Sequence, residues 1–200
     1  MKLIAVSKTK PAEAIKAVYD SGQRDFGENY VSEAVEKMSV LKPLDICWHF
    51  LGPLQSNKTR LVATHFDWIH SVDRAKIAKR LNEQRPDELP PLNVCLQVNI
   101  PAEPTKSGVS SEAELLDLAL AVSEMDRLAL RGIMAIPAPA SDPEQQRAQF
   151  KSIAQLLSIP DLPIQMTELS MGMSGDMESA VAEGATMVRI GTDIFGARYN

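Results

Sequence analysis

Three short stretches of the sequence carry residue types that could do chemistry together. The first, Leu3-Ile-Ala-Val-Ser-Lys8, is an apolar run ending in a lysine. Side chains alternate along a strand, so Ile4, Val6 and Lys8 share a face. An amine held among apolar neighbours and near other cations has its charged form disfavoured, and a neutral amine attacks an aldehyde to form an imine. The plainer alternative is a strand-end lysine turned out to solvent, and position alone favours it. Lys10, past the strand and next to Pro11, reads as solvent-facing. The second stretch, Ser170-Met-Gly-Met-Ser-Gly-Asp176, places small residues ahead of a helical pattern. Backbone N–H groups and the helix dipole attract an anion at such a point, although Ser174 reads equally well as a plain N-cap. The third is Arg189-Ile-Gly-Thr192. Gly191 permits close approach and Thr192 adds a hydroxyl donor. Arg189 shares its strand face with Met187 and Gly191 and so points inward, where a cation needs an acceptor. That acceptor is either a strand-end carboxylate, such as Glu28 or Glu168, or the ring nitrogen of a ligand.

These groups converge only if the elements between them bring them together. Short apolar runs alternate with helical patterns along the whole chain. Strands are expected at 3–8, 25–29, 47–52, 67–72, 93–100, 130–136, 166–170 and 187–190. Helices are expected at 11–19, 30–41, 57–65, 74–84, 110–125, 143–157 and 176–183, with Pro11 opening the first and Gly22 stopping it. No helix is expected after the eighth strand. Strict alternation implies a parallel sheet with right-handed crossovers, and eight units favour a closed (β/α)8 barrel over an open sheet. Residues 1–200 form one domain. A barrel works at the C-terminal ends of its strands, and the loops after strands seven and eight are its usual phosphate cradle. All three stretches fall there.

The rest of the composition narrows the class. A formal charge of −5 argues against a nucleic-acid or anionic-membrane partner. The run at 3–6 is too short for a signal peptide, and no apolar stretch approaches a membrane span. Cys47 and Cys95 are not in a CxxC pattern and read as reduced thiols of a cytoplasmic protein. His49, His65 and His70 lack metal-ligand spacing and read as structural; no metal is expected.

Seven segments in order carry a further pattern: AVSKTKP (5–11), FGENYV (26–31), WHFLGPLQSNK (48–58), VNI…KSG (98–108), RGIMAIP (131–137), LSMGMSGDM (169–177) and VRIGTDIFGAR (188–198). Through them the chain resembles the pyridoxal phosphate homeostasis protein family, of the YggS/PROSC type, over nearly its whole length. The resemblance implies a barrel similar to that of alanine racemase, without a second domain, that binds pyridoxal 5′-phosphate (PLP). Lys8 would be the Schiff-base lysine. Ser174, Gly191 and Thr192 would line the phosphate, Arg189 would face the pyridine nitrogen, and Asn29 would lie near the cofactor. Lys106 would be a second contact, and His49 falls in a matching segment without a role. The implied function is intracellular PLP buffering or delivery to apo-PLP enzymes by a monomer or weak dimer, with no evident catalysis. The rivals are a PLP-dependent amino-acid racemase of the same barrel class and a barrel enzyme acting on a phosphorylated substrate. Relatives usually carry a helix ahead of the first strand, whereas this sequence starts almost at the strand. Leu3, Ala5, Val188 and Ile190 are therefore expected to face outward without cover.

Overall fold

The computed structural model describes residues 1–99 and 107–196. Among them, β1 (Lys2–Val6), β2 (Asp25–Glu28), β3 (Cys47–Phe50), β4 (Trp68–Val72), β5 (Leu92–Val98), β6 (Leu128–Ala135), β7 (Glu168–Ser170) and β8 (Met187–Ile190) close into a barrel in chain order. Every pairing is parallel, and β1 joins β8 to complete the ring. Parallel neighbours need crossovers. These are α1 (Ala12–Asp20), α2 (Val31–Val40), α3 (Thr59–His65), α4 (Ala75–Gln84), α5 (Glu112–Ser123), α6 (Pro143–Gln155) and α7 (Met177–Ala182).

Period-two alternation sorts the strand residues into two cores. Ile4, Cys95, Met134 and Met187 meet inside the barrel. Their strand neighbours, among them Ala5, Phe26, Phe50, Val94 and Val188, face the helices in one continuous outer core. Helix ends follow local chemistry. Gly22, at φ +107, takes a conformation that side chains resist and closes α1 through its N–H to the Tyr19 carbonyl. The side chains of Ser111 and Asp142 accept backbone N–H groups at the starts of α5 and α6.

The structure departs from the sequence expectations at both ends of the chain. β1 stops at Val6, not Lys8: the Ser7 N–H makes a last bond to the Gly27 carbonyl, and Thr9 then turns the chain at φ +63. A helix does follow the eighth strand, α8 (Thr192–Phe195). Lys10 is not simply solvent-facing, because its Nζ donates to the carbonyls of Phe195 (2.9 Å) and Gly196 (3.3 Å) at the end of α8. A cation at the last carbonyls of a helix is favourable. The expected bare flank is largely absent. Ala5, Val188 and Ile190 are buried in the outer core, against which Ile194 and Phe195 of α8 pack, and only Leu3 remains 39% exposed. β7 begins at Glu168, two residues later than expected. Lys106 lies outside the described residues.

Candidate functional site

The turn that carries Lys8 is built from behind. Ser7, fully buried, donates its hydroxyl to Glu28 Oε1 at 2.6 Å. Lys37, on α2, donates to the Ser7 carbonyl (2.8 Å) and to Glu28 (2.8 Å), and pairs with Glu33 at 2.5 Å. Glu33 in turn accepts the Thr9 N–H at 2.6 Å. The residues on either side of Lys8 are thus tied to one half-hidden cluster of charges. Burial pushes the Glu28 carboxyl above its ordinary value, although Lys37 and Ser7 oppose the shift. Glu28 faces α2, so it is not an acceptor for Arg189.

In front of that turn opens a cavity of about 250 Å³. Lys8, Asn29, Ser174, Arg189, Gly191 and Thr192 all line it. A larger cavity of about 660 Å³ lies beside it, beyond Asn29, with Lys58 and Arg74 in its wall. The chemistry converges on the smaller one. Its apolar wall includes Val6, Leu51 and Met134, which suits a ring, and its polar groups suit an anion at one side. Ser174 and Thr192 are exposed at the mouth, the first on the loop after β7 and the second opening α8 just beyond β8, at the two places expected to cradle a phosphate. Ser174 is not an N-cap: α7 starts at Met177, and Asp176 accepts the Met173 N–H at 2.6 Å, which holds the loop closed. A Cβ at Gly191 would press on the Val6 carbonyl oxygen at 3.3 Å, so the glycine lets β8 run close to β1 at the pocket floor. Gly52 has the same role beside Asn29, whose carbonyl oxygen a Cβ there would meet at 2.2 Å. Asn29 Oδ1 is buried and has no hydrogen-bond partner among the described residues.

Arg189 points inward, as its strand phase requires, and is 6% exposed. It pairs with neither Glu28 nor Glu168, the latter being bonded to Thr186. Nη1 donates to Ser170 Oγ at 2.7 Å and Nη2 to the Ala135 carbonyl at 3.0 Å. Burial lowers its pKa to about 10, so at neutral pH it remains a cationic donor.

Sequence reasoning missed Lys37 and Glu33. Two signals were available: Glu33 and Lys37 are four apart on one helix, and Lys37 falls on the stripe that buries Val31 and Ala34. A buried lysine on an apolar face calls for a partner. Ser7 gave no such signal. At the base of the barrel Asp25, Cys47 and His49 bring metal-ligand atoms within 4.8 Å of one another, although the ammonium of Lys2 already sits 2.9 Å from Asp25. Burial, with Asp67 and Asp25 nearby, pushes the Cys47 thiol up to about 12, so it is neutral.

Comparison with known proteins places this geometry. The family described as alanine racemase, N-terminal domain, matches residues 1–199. The pyridoxal phosphate homeostasis protein of Pseudomonas aeruginosa is 57% identical over 196 residues, covering 98% of this chain and 84% of its own. That of Escherichia coli K12 is 56% identical over 200 residues, covering 98% and 85%. PipY of Synechococcus elongatus PCC7942, solved with PLP bound, superposes with a TM-score of 0.88 at 42% identity, covering 98% of this chain and 92% of PipY. A histidine racemase from Leuconostoc mesenteroides shares the fold alone, at 22% identity and a TM-score of 0.76.

Proposed function

The chain belongs to the pyridoxal phosphate homeostasis proteins, within the alanine racemase N-terminal domain family, and we propose on that premise that its pocket holds PLP as a Schiff base on Lys8. The observation that carries the reading is the convergence of Lys8, Asn29, Ser174, Arg189, Gly191 and Thr192 on one cavity of about 250 Å³. The residues present fit the cofactor. A buried orphan acceptor at Asn29, a cationic donor without a carboxylate at Arg189 and two hydroxyls at the mouth match a polar, phosphorylated ring.

Bound PLP supplies an aldehyde carbon and a ring that draws electrons from what is attached to it. Lys8 provides the amine, held in place by the anchors on Ser7 and Thr9. Ser174 and Thr192 would donate to the phosphate, and Gly191 keeps the pocket floor low. Arg189 would donate to the ring nitrogen, and a guanidinium has no lone pair to accept from a protonated one, so that nitrogen would stay neutral and the ring a weak electron sink. Val6, Leu51 and Met134 would exclude water from the ring.

The activity is carriage, not turnover. Among the described residues lining the cavity there is no carboxylate, histidine or tyrosine, and so no second acid or base opposite Lys8. The protein buffers PLP in the cytoplasm and passes it to apo-PLP enzymes. The experiment is a transfer assay: PLP-loaded protein is mixed with an apo-PLP enzyme while free PLP is trapped. Recovery of enzyme activity despite the trap supports delivery, and recovery only without the trap contradicts it.

A further inference from the structure

Beneath the pocket, the barrel interior holds a run of polar side chains that ligand contact does not explain. Arg189 Nη1 lies 2.7 Å from Ser170 Oγ, and that oxygen lies 2.8 Å from His70 Nδ1. His70 Nε2 is 2.9 Å from His49 Nδ1, and His49 Nε2 is 2.9 Å from Asp25 Oδ1. Lys2 Nζ meets the same carboxylate oxygen at 2.9 Å. Ser170, His70 and His49 are fully buried. The run starts at Asp25 and Lys2, which open β2 and β1 at one end of the barrel, and finishes under the ligand pocket at the other.

The two ends impose the same direction on every bond. Asp25 is ionised, since hydrogen bonds from His49 and Lys2 outweigh burial and hold it at about 2, so it only accepts. His49 must then carry its proton on Nε2 and, being neutral, accept at Nδ1. His70 therefore donates from Nε2 and accepts at Nδ1, which takes the one proton of Ser170. From the other side, Arg189 only donates, so Ser170 Oγ accepts from it and has its proton left for His70. Burial disfavours the charged form of both histidines, in keeping with this assignment. Cys47 Sγ, 3.5 Å from His49 Nε2, is a weak extra acceptor that leaves the direction unchanged. Each bond has its positive end toward Asp25 and its negative end toward Arg189, so the dipoles add.

We infer that Ser170, His70, His49 and Asp25 form one polarised chain that positions the Arg189 guanidinium, with its fixed acceptor at the opposite end of the barrel. This rests on the reading that Arg189 faces the ring nitrogen of PLP. A direct carboxylate partner beside Arg189 would stand close enough to the ring to share a proton with it. Holding Arg189 through the neutral Ser170 hydroxyl keeps it fixed while the described residues lining the pocket include no carboxylate. The four residues are positioning residues and do not touch the ligand.

The chain is tested first without PLP, by nitrogen NMR of the wild-type protein with labelled histidine at neutral pH. Both His49 and His70 are expected neutral with the proton on Nε2. A proton on Nδ1 of either ring, or a charged ring, overturns the chain. The second arm uses the PLP-loaded protein. Asp25→Asn removes the fixed acceptor, because an amide can also donate to His49. Its cofactor absorption band is expected to shift in the same sense as in Ser170→Ala, and Ser170→Thr, which keeps the hydroxyl, is expected to restore the wild-type band. Unchanged bands in Asp25→Asn and Ser170→Ala contradict coupling to the pocket. A protein that takes up no PLP on Lys8 would instead defeat the cofactor reading, and the NMR result would still decide the chain.

Discussion

Lys37 and Glu28 meet at 2.8 Å behind the turn that carries Lys8, with side chains 8% and 0% exposed. The pair lies in the wall between β2 and α2, and Lys37 also holds the Ser7 carbonyl. Removing one partner leaves the other charge buried and unpaired, which costs about 3–5 kcal/mol. Lys37→Met is therefore expected to lose about that much stability in urea denaturation and to lower the yield of PLP adduct on Lys8. The double variant with Glu28→Gln should lose less than the sum of the singles, because the orphaned charge is gone. A loss below about 1 kcal/mol in Lys37→Met, the range of an exposed pair, would show that water reaches the cluster.

Acid stability should follow the two histidines inside the barrel. Burial sets the folded pKa of both below the ordinary 6.5; nearby cationic groups add to the shift at His70, whereas Asp25 opposes it at His49. Below that pH the unfolded chain binds protons that the folded protein excludes, so stability is full above about 6.5 and falls as pH drops. Each such site adds a slope of up to about 1.4 kcal/mol per pH unit. Asp25, held at about 2 against 3.8, acts lower: its contribution is present above about 3.8 and is lost toward pH 2. Denaturation midpoints between pH 7 and 5 are expected to fall in the wild type and to fall less steeply in His70→Gln. Equal slopes in the two proteins would mean that His70 titrates normally in the fold.

Arg189→Glu should change the spectrum and reactivity of bound PLP more than it weakens phosphate anchoring. A carboxylate at that position can hold a proton on the ring nitrogen, which Arg189 cannot. Titration with PLP followed by absorption separates the two effects. A large loss of affinity with an unchanged band would make Arg189 a phosphate ligand.

Racemisation of common amino acids is expected at background, because exchange on both faces of the substrate carbon needs a second acid or base, and the described residues lining the cavity include no carboxylate, histidine or tyrosine. Polarimetric or chiral chromatographic assay of the PLP-loaded protein checks this. A turnover number in the ordinary enzyme range of about 1 to 10³ per second would defeat the carrier reading.

The strands and their faces were legible in the sequence because alternation is a local signal. Met187 and Arg189 face the interior and Val188 and Ile190 the outer core, as period two requires. The end of β1 was not legible. Where its ladder stops depends on Gly27 in the next strand and on the left-handed turn at Thr9, neither of which leaves a mark in residues 3–8. Lys10 was misjudged because its carbonyl partners lie 185 and 186 residues away. His49 and His70 show no ligand spacing because they meet across neighbouring strands, where sequence separation is set by the intervening helix and carries no chemical information. Of the six expected residues that line the cavity, Lys8, Ser174, Arg189, Gly191 and Thr192 stand out in the sequence because each falls near a strand end or just beyond it, whereas Asn29 was signalled only by the family resemblance.

The proposed site joins PLP covalently to one lysine. The purified protein is loaded with PLP, reduced with borohydride and digested, and the modified peptide is mapped, beside Lys8→Ala treated alike. PLP held on Lys8 predicts a single major adduct at that residue, and a Lys8→Ala protein that keeps its fold by circular dichroism but forms no adduct in the pocket. An adduct mapped to Lys10 or Lys106 instead, or an undiminished yield in Lys8→Ala, would contradict it.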